Sequence, residues 1–145
     1  MQFWQVNMKP GKPLAFGLLP GRAPGSSVPL IGLPGNPVSA MVSFEQFARP
    51  AILKMLGHTD LDKPTVRAIL DEPLTNSGRR GFLRVVVSHH ADGYHARTTG
   101  EQGSGVLTSM AKANGLAIVP EGTYRQEVGS EVTVQMLDWP EGMGV

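Results

Sequence analysis

The first part of the chain alternates short apolar runs with loops rich in glycine and proline. Apolar runs cover residues 14–19 and 28–33, and continuous runs of this length are typical of buried strands. The loop between them, residues 20–27, consists mainly of Pro, Gly and Ser, which favour turns. We therefore predict two short strands joined by a tight loop.

An amphipathic helix is predicted after the second apolar run. Asn36 suits the N-cap, Pro37 the first helical position and Gly57 the position after the last turn. Apolar side chains recur every three or four residues, which predicts one buried face made of Met41, Phe44, Ala48, Ile52 and Met55. Because Pro50 lies inside this pattern and removes the hydrogen bond to the carbonyl of Gln46, we expect a kinked or split helix.

After a polar stretch at residues 58–64, the pattern is that of an all-β domain. Asp92-Gly93 predicts a two-residue hairpin turn. One short helix is predicted between Ser104 and Gly115 from Val106, Leu107, Met110 and Ala111. Strands are predicted over residues 66–70, 82–88, 94–98, 115–120 and 131–137. We therefore divide the chain into an α/β part, residues 1–58, and a β-domain, residues 64–145.

Residues 1–57 hold too few elements to cover both faces of a parallel or mixed sheet, which such sheets normally require. We expect this part to be the end of a larger α/β domain. The alternative is that the chain repacks or pairs with another copy of itself.

Composition excludes several classes of protein. The chain has 145 residues, of which 41% are hydrophobic and 17% charged, enough for a globular protein with a core. It has no cysteine, which excludes disulfides, thiolate metal sites and cysteine nucleophiles and is typical of a cytoplasmic protein. No apolar run approaches the ~20 residues that span a bilayer, and residues 1–4 do not resemble a signal peptide. We expect neither a membrane protein nor a secreted one.

Charge is unevenly distributed along the chain. Residues 1–57 carry five basic side chains and one acidic one, whereas the remainder carries eight basic and eleven acidic. The basic first part suggests an anionic ligand. The charges are too few for the basic face with interleaved aromatic residues that nucleic-acid binding needs, so we expect no nucleic-acid partner.

The best candidate for an anion site is the junction at residues 33–39, Leu-Pro-Gly-Asn-Pro-Val-Ser. A strand end leads there into a helix N-terminus, where free N–H groups and the helix dipole favour an anion, and Ser39 adds a hydroxyl donor. Lys9 and Lys12 flank a Pro-Gly pair, in a turn that presents two ammonium groups to one side. The alternatives are an ordinary strand-to-helix turn and a solvated charged loop.

Arg84 is a charge on an apolar strand face, which it shares with Phe82 and Val86. A residue of this kind is usually paired or at an interface, the alternative being a side chain that extends to solvent.

Two further stretches are weaker candidates for a ligand site. His90 and His95 would pair across the predicted hairpin, with His89 beside them, but the sequence offers no second shell for a metal, so an exposed hairpin tip is favoured. The glycine-rich loop 100–105 could hold a phosphate but lacks the ending of a P-loop, and a flexible connector is the alternative.

Several stretches resemble the molybdopterin molybdotransferases, the MoeA/gephyrin family. The two most specific are residues 8–17, Met-Lys-Pro-Gly-Lys-Pro-Leu-Ala-Phe-Gly, and residues 32–40, Gly-Leu-Pro-Gly-Asn-Pro-Val-Ser-Ala. Further similar stretches follow in the family's order at residues 82–84, 99–105, 107–110 and 114–117. The resemblance covers nearly the whole chain.

The resemblance implies both a fold and a function. The fold would be the end of a three-layer α/β molybdopterin-binding domain followed by an all-β C-terminal domain, a small barrel or β-clip. The function would be a transferase of molybdenum cofactor biosynthesis, which inserts molybdate into adenylylated molybdopterin and releases AMP, with Mg²⁺, as a cytoplasmic homodimer. The acidic residues for acid–base chemistry and metal binding would lie outside this chain. The alternatives are a gephyrin-type interaction module without catalysis, or an inactive ligand-binding fragment.

The resemblance also assigns site residues. The residues it implies for binding the substrate anion are Lys9, Lys12, Pro34, Asn36, Pro37, Ser39, Arg84 and Ser109. Ammonium, guanidinium, hydroxyl and helix N–H groups are natural donors to molybdate, a tetrahedral dianion. One departure from the family is Gln5, which stands where relatives often carry a further lysine.

Overall fold

The computed structural model describes residues 1–103 and 106–140. Within them, the helical segments are α1 (Pro37–Ser43), a π-helical turn (Phe44–Ala48), α2 (Arg49–Met55) and α3 (Leu107–Lys112). The strands are β1 (Gln2–Gln5), β2 (Met8–Lys9), β3 (Pro13–Pro20), β4 (Ser27–Gly32), β5 (Thr65–Leu70), β6 (Leu74–Thr75), β7 (Arg80–His90), β8 (Gly93–Thr98), β9 (Gly115–Val119), β10 (Arg125–Gln126) and β11 (Glu131–Met136). Ser104 and Gly105, which belong to the predicted helix start and glycine-rich loop, lie outside the described residues. No helix among these residues is both long and apolar enough to cross a bilayer.

A closed five-stranded barrel forms the second part of the chain, as the resemblance implied. Its strand order is β7-β8-β5-β11-β9, and β9 pairs again with β7 to close the ring. Alternating apolar residues on β5 and β11 point inward, among them Val66, Ala68, Val132 and Val134, all buried. The strands predicted over residues 66–70 and 131–137 are therefore confirmed.

The hairpin between β7 and β8 turns one residue earlier than predicted. His90 pairs with Gly93, so that Ala91 and Asp92 form the turn, and Gly93 has a positive φ of 126°. The predicted pairing of His90 with His95 is wrong, because His95 lies opposite Ser88. Glycine can supply the positive φ either in the turn or just after it, and the dipeptide alone does not distinguish the two.

The predicted split of the long helix is confirmed. The N–H of Arg49 donates to the carbonyl of Phe44, a wide turn that ends just before Pro50, and α2 then continues to Met55. A wide turn accommodates a proline because it removes the requirement for an N–H at that point and relieves the clash of the ring with the preceding turn.

The predicted buried face of this helix is wrong, except for Ala48. Met41, Phe44, Ile52 and Met55 are exposed, with exposed fractions of 39% to 65%. The buried residues of α1 are Val38, Ser39, Val42 and Ser43. Both stripes have helical spacing, and the structure buries the one that faces the barrel.

A second apolar cluster joins the two parts of the chain. It consists of Met8, Val38 and Val42 from the first part and Phe82, Met110 and Leu116 from the second. In addition, β2 pairs in parallel with the start of β7, Met8 opposite Arg80 and Lys9 opposite Gly81. These contacts place the Lys9 turn and the start of α1 against the outer face of the barrel.

The remaining strands of the first part form a small antiparallel sheet, β1-β3-β4, rather than a parallel or mixed one. Several of its apolar side chains are exposed, including Phe3, Trp4, Phe16 and Leu18. An antiparallel sheet can face water on one side, so these exposed side chains do not test the expectation, which concerned a parallel or mixed sheet.

Candidate oxyanion-binding site

Arg84 is fully buried on the outer face of β7. Its Nε donates to the Ser109 hydroxyl at 3.1 Å, and its Nη2 donates to the Gly103 carbonyl at 3.0 Å. Its Nη1 is buried and has no hydrogen-bond partner among the described residues. Burial lowers the pKa of Arg84, but a guanidinium remains charged in proteins.

A buried cation with a donor left over is costly unless an acceptor reaches it. The partners of Arg84 that the structure describes are neutral oxygens, which leaves its positive charge uncompensated by any described carboxylate. This arrangement favours an anion as the missing partner.

Arg84 lines a cavity of about 470 Å³ on the side of β7 that faces β2. The other lining residues are Lys9, Pro10, Thr75, Asn76, Ser77, Leu83, Gln102 and Gly103. Two cations and several neutral polar side chains therefore share this cavity, and its described lining includes no carboxylate. Its electrostatics suit a small anion.

Lys9 is brought to the cavity by a turn that packs against α1. Gly11 in this turn has a positive φ of 101°, which favours glycine. A Cβ at this position would lie 2.6 Å from Ser43 Oγ and 2.9 Å from Met8 Cε. The close approach of the turn to α1 therefore fixes where Lys9 sits. Lys12, at the other end of the turn, is exposed and does not line the cavity.

The helix start is built as predicted. The Asn36 backbone is extended, its carbonyl accepts a hydrogen bond from the Ala40 N–H at 2.8 Å, and Pro37 is the first residue of α1. Ser39 is buried in the first turn, with its carbonyl next to Gly11.

Pro34 faces a different space. It lines a second cavity of about 480 Å³ between β1 and the β3–β4 strands, together with Trp4, Leu14 and Leu33. Among the predicted site residues, the structure thus groups Lys9, Arg84 and Ser109 and sets Pro34 apart.

Sequence reasoning did not single out Gln102 or Asn76. Gln102 hydrogen-bonds to the backbone of Arg84. Asn76 donates to the carbonyls of Arg79 and Thr123 at 2.6 and 3.1 Å, which holds its loop beside the cavity. The only signal for Gln102 was its place in the stretch 99–105, which resembles the family.

The histidines form a separate surface cluster at the barrel hairpin. His95 bonds through Nδ1 to Asp71 at 2.7 Å and through Nε2 to Asp92 at 3.0 Å, and these two carboxylates raise its pKa. The ring of His90 lies 4.6 Å from that of His95, centre to centre. Because both nitrogens of His95 are engaged by carboxylates, neither is free to bind a metal.

Two parts of the chain match known families. Residues 1–54 match a family described as a probable molybdopterin binding domain, and residues 67–137 match the MoeA C-terminal region, domain IV. Over 92% of its length the chain is 36% identical to molybdopterin molybdenumtransferase 2 of Mycobacterium tuberculosis. Over 93% of its length it is 33% identical to the molybdopterin molybdenumtransferase of Haemophilus influenzae.

The fold is found in solved relatives. A molybdopterin biosynthesis MoeA protein from Pyrococcus horikoshii matches 93% of the chain with a TM-score of 0.69 and 28% identity. The chain covers 32% of that structure, and 31% and 33% of the two sequence relatives, so it spans about a third of their length.

The barrel and these matches define the MoeA C-terminal region, preceded by part of a probable molybdopterin binding domain. The chain belongs to the MoeA/gephyrin family of molybdopterin molybdenumtransferases and corresponds to their C-terminal portion. The resemblance stated from the sequence is confirmed.

Proposed function

We propose that the cavity between Lys9 and Arg84 binds molybdate. The complete enzyme would transfer it into adenylylated molybdopterin, with release of AMP and the molybdenum cofactor. The observation that carries the proposal is Arg84 itself, a fully buried guanidinium whose Nη1 has no partner among the described residues. A tetrahedral dianion at the cavity would accept from Nη1 and would compensate the buried charge.

Lys9 supplies the second positive charge of the cavity, and its exposure leaves the opening accessible to an incoming anion. Lys12, Asn36, Pro37 and Ser39 do not line this cavity. We propose that they contribute to binding of the anionic substrate outside it, with Pro34 shaping the loop before the helix. In this proposal, Ser109 orients Arg84 through the hydrogen bond to Nε.

The residues around this cavity do not fit Mg²⁺. Magnesium requires hard oxygen ligands, usually with one or two carboxylates, whereas two cations line the cavity. Among the described residues, no group of three or more His, Cys, Asp or Glu side chains could hold a metal ion. If the complete enzyme uses Mg²⁺, its ligands come from outside this set. We also propose that the full-length enzyme works as a cytoplasmic homodimer.

Isothermal titration of the chain with sodium molybdate tests the binding proposal. We expect wild-type protein to bind and Arg84→Gln to bind roughly ten- to a hundredfold more weakly, because a charge-assisted hydrogen bond contributes about 1.5–3 kcal/mol. Lys9→Ala should also weaken binding, with little loss of stability, because Lys9 is exposed.

Two exposed cations outside the cavity serve as controls, Lys54→Ala on α2 and Arg97→Gln on β8. Each control removes one positive charge, as the site variants do, but neither residue lines the cavity. Absence of binding to the wild type, or equal losses in the site and control variants, would overturn the proposal.

A further inference from the structure

The backbone of Arg84 has a side-chain partner at the point where its neighbouring strand ends. The last pair between β7 and β8 is Val85 with Thr98, so Arg84 lies one residue beyond the ladder. Its N–H donates to Gln102 Oε1 at 2.8 Å, and Gln102 Nε2 donates to its carbonyl at 3.0 Å. The Thr99 N–H, just after β8, also donates to the Arg84 carbonyl at 3.2 Å. The Gln102 amide therefore shares this carbonyl with the backbone and is the side-chain partner of the Arg84 N–H.

The same side chain also fixes the loop that carries it. Gln102 Nε2 donates to the Gly100 carbonyl at 3.2 Å, which makes the loop compact. The next residue along, Gly103, accepts from Arg84 Nη2. The backbone and one guanidinium nitrogen of Arg84 are thus held by adjacent residues of one loop.

We infer that Gln102 is a positioning residue for Arg84, which lines the cavity. This inference rests on the proposed molybdate site. The orientation of the Gln102 amide is determined by its partners, because its oxygen faces an N–H and its nitrogen faces two carbonyls. Without these bonds, the loop and its Gly103 carbonyl lose their fixed position, and the guanidinium loses part of its preorganisation.

The chain contains a matched control for this interaction. Asn114 makes the same two-bond bridge to Val87 on the same strand, accepting from the N–H at 2.7 Å and donating to the carbonyl at 3.0 Å. Asn114 does not line the cavity. Loss of either bridge should lower the free energy of unfolding by a similar amount. Only loss of the Gln102 bridge should weaken anion binding.

The first test compares Gln102→Met with Asn114→Leu, two variants that keep the approximate size of the side chain. Molybdate affinity, measured by titration calorimetry, should fall about tenfold in Gln102→Met, equivalent to roughly 1.4 kcal/mol. It should stay within twofold of the wild type in Asn114→Leu, while urea unfolding reports similar destabilisation of both.

The outcomes separate the two proposals. If the wild type binds no molybdate, the site and the role of Gln102 both fall. If the wild type binds and Gln102→Met binds equally well, only the role of Gln102 is overturned. Equal weakening in both variants would likewise reduce Gln102 to a structural residue.

The second test needs no variant and decides the matter if Gln102→Met does not fold. Coupling is reciprocal, so if the Gln102 bridge favours binding, molybdate must stabilise the bridge by the same factor. Saturating molybdate should therefore slow hydrogen exchange at the Arg84 N–H relative to the Val87 N–H, which Asn114 holds. An unchanged ratio of the two exchange rates would overturn the inference.

Discussion

Gly11 offers a sharp test of how the lysine turn is held against α1. Its φ of 101° lies in a region that alanine avoids, and an added Cβ would approach Ser43 Oγ to 2.6 Å and Met8 Cε to 2.9 Å. The backbone strain is worth about 1–2 kcal/mol. Overpacking adds about 1–3 kcal/mol. We therefore expect Gly11→Ala to lower the free energy of unfolding by about 2–5 kcal/mol.

Gly57 provides the matched comparison. Its φ is 86°, but a Cβ there would meet none of the described atoms within 4 Å. Gly57→Ala should therefore lower the free energy of unfolding through backbone strain alone, by about 1–2 kcal/mol. The difference between the two variants measures the packing of the turn on α1.

A rescue variant sharpens the comparison. Ser43 Oγ is buried without a hydrogen-bond partner among the described residues, so Ser43→Ala by itself should cost little. In the Gly11→Ala background, it removes the closest clash and should restore part of the lost stability.

Urea unfolding followed by circular dichroism measures the stability of the wild type and of the four variants, and molybdate titration reports on Lys9. We expect Gly11→Ala to bind molybdate more weakly than Gly57→Ala, because only the first displaces Lys9. If Gly11→Ala costs no more than Gly57→Ala and Ser43→Ala gives no recovery, the turn does not pack on α1 as described.

Three further predictions concern the surface, the linker and catalysis. The raised pKa of His95 means that its bonds to Asp71 and Asp92 stabilise the fold fully below the ordinary histidine value of 6.5 and progressively less as the pH rises through the folded-state pKa. In urea unfolding from pH 5 to 9, His95→Gln should flatten this pH dependence of stability, and His90→Gln is the control for the neighbouring ring. If His95→Gln shows the same pH dependence as the wild type, the role of His95 is wrong. Limited proteolysis should cut first in residues 58–63 or 20–27, whereas first cuts in residues 82–87 would contradict our proposed division at 58–64. Finally, the chain by itself should not assemble cofactor from adenylylated molybdopterin, molybdate and Mg²⁺, and turnover near that of a full-length relative would refute this.

Local signals predicted the parts of the fold that depend on neighbours in sequence. Asn36-Pro37 marked the helix start, Pro50 marked the irregular turn, and the apolar pattern of residues 131–137 marked a strand. The buried face of α1 could not be chosen from spacing, because the Val38–Val42 stripe and the Met41 stripe have the same period. Packing against the barrel decides which of the two stripes is buried, and local sequence spacing does not show this packing.

The candidate site, too, could be predicted only in part from the sequence. Arg84 was identifiable as a charge on an apolar strand face, and Lys9 as part of an unusual Pro-Gly turn. Strand β2 is only two residues long and forms because β7 lies beside it, so no local pattern announces it. Gln102 bonds to backbone atoms, which carry no sequence identity, and its role therefore appears only in three dimensions.

The parallel pairing of β2 with β7 determines where Lys9 lies along β7 relative to Arg84. Lys9 lies opposite Gly81, and Arg84 follows three residues later on the same strand. At about 3.3 Å per residue, these two backbone positions are some 10 Å apart, a spacing determined by strand pitch. A one-residue insertion between them would lengthen this spacing and turn Arg84 toward the barrel interior, among Leu83 and Val85. The register of a single strand thus determines how far along β7 the backbone of Lys9 lies from that of Arg84.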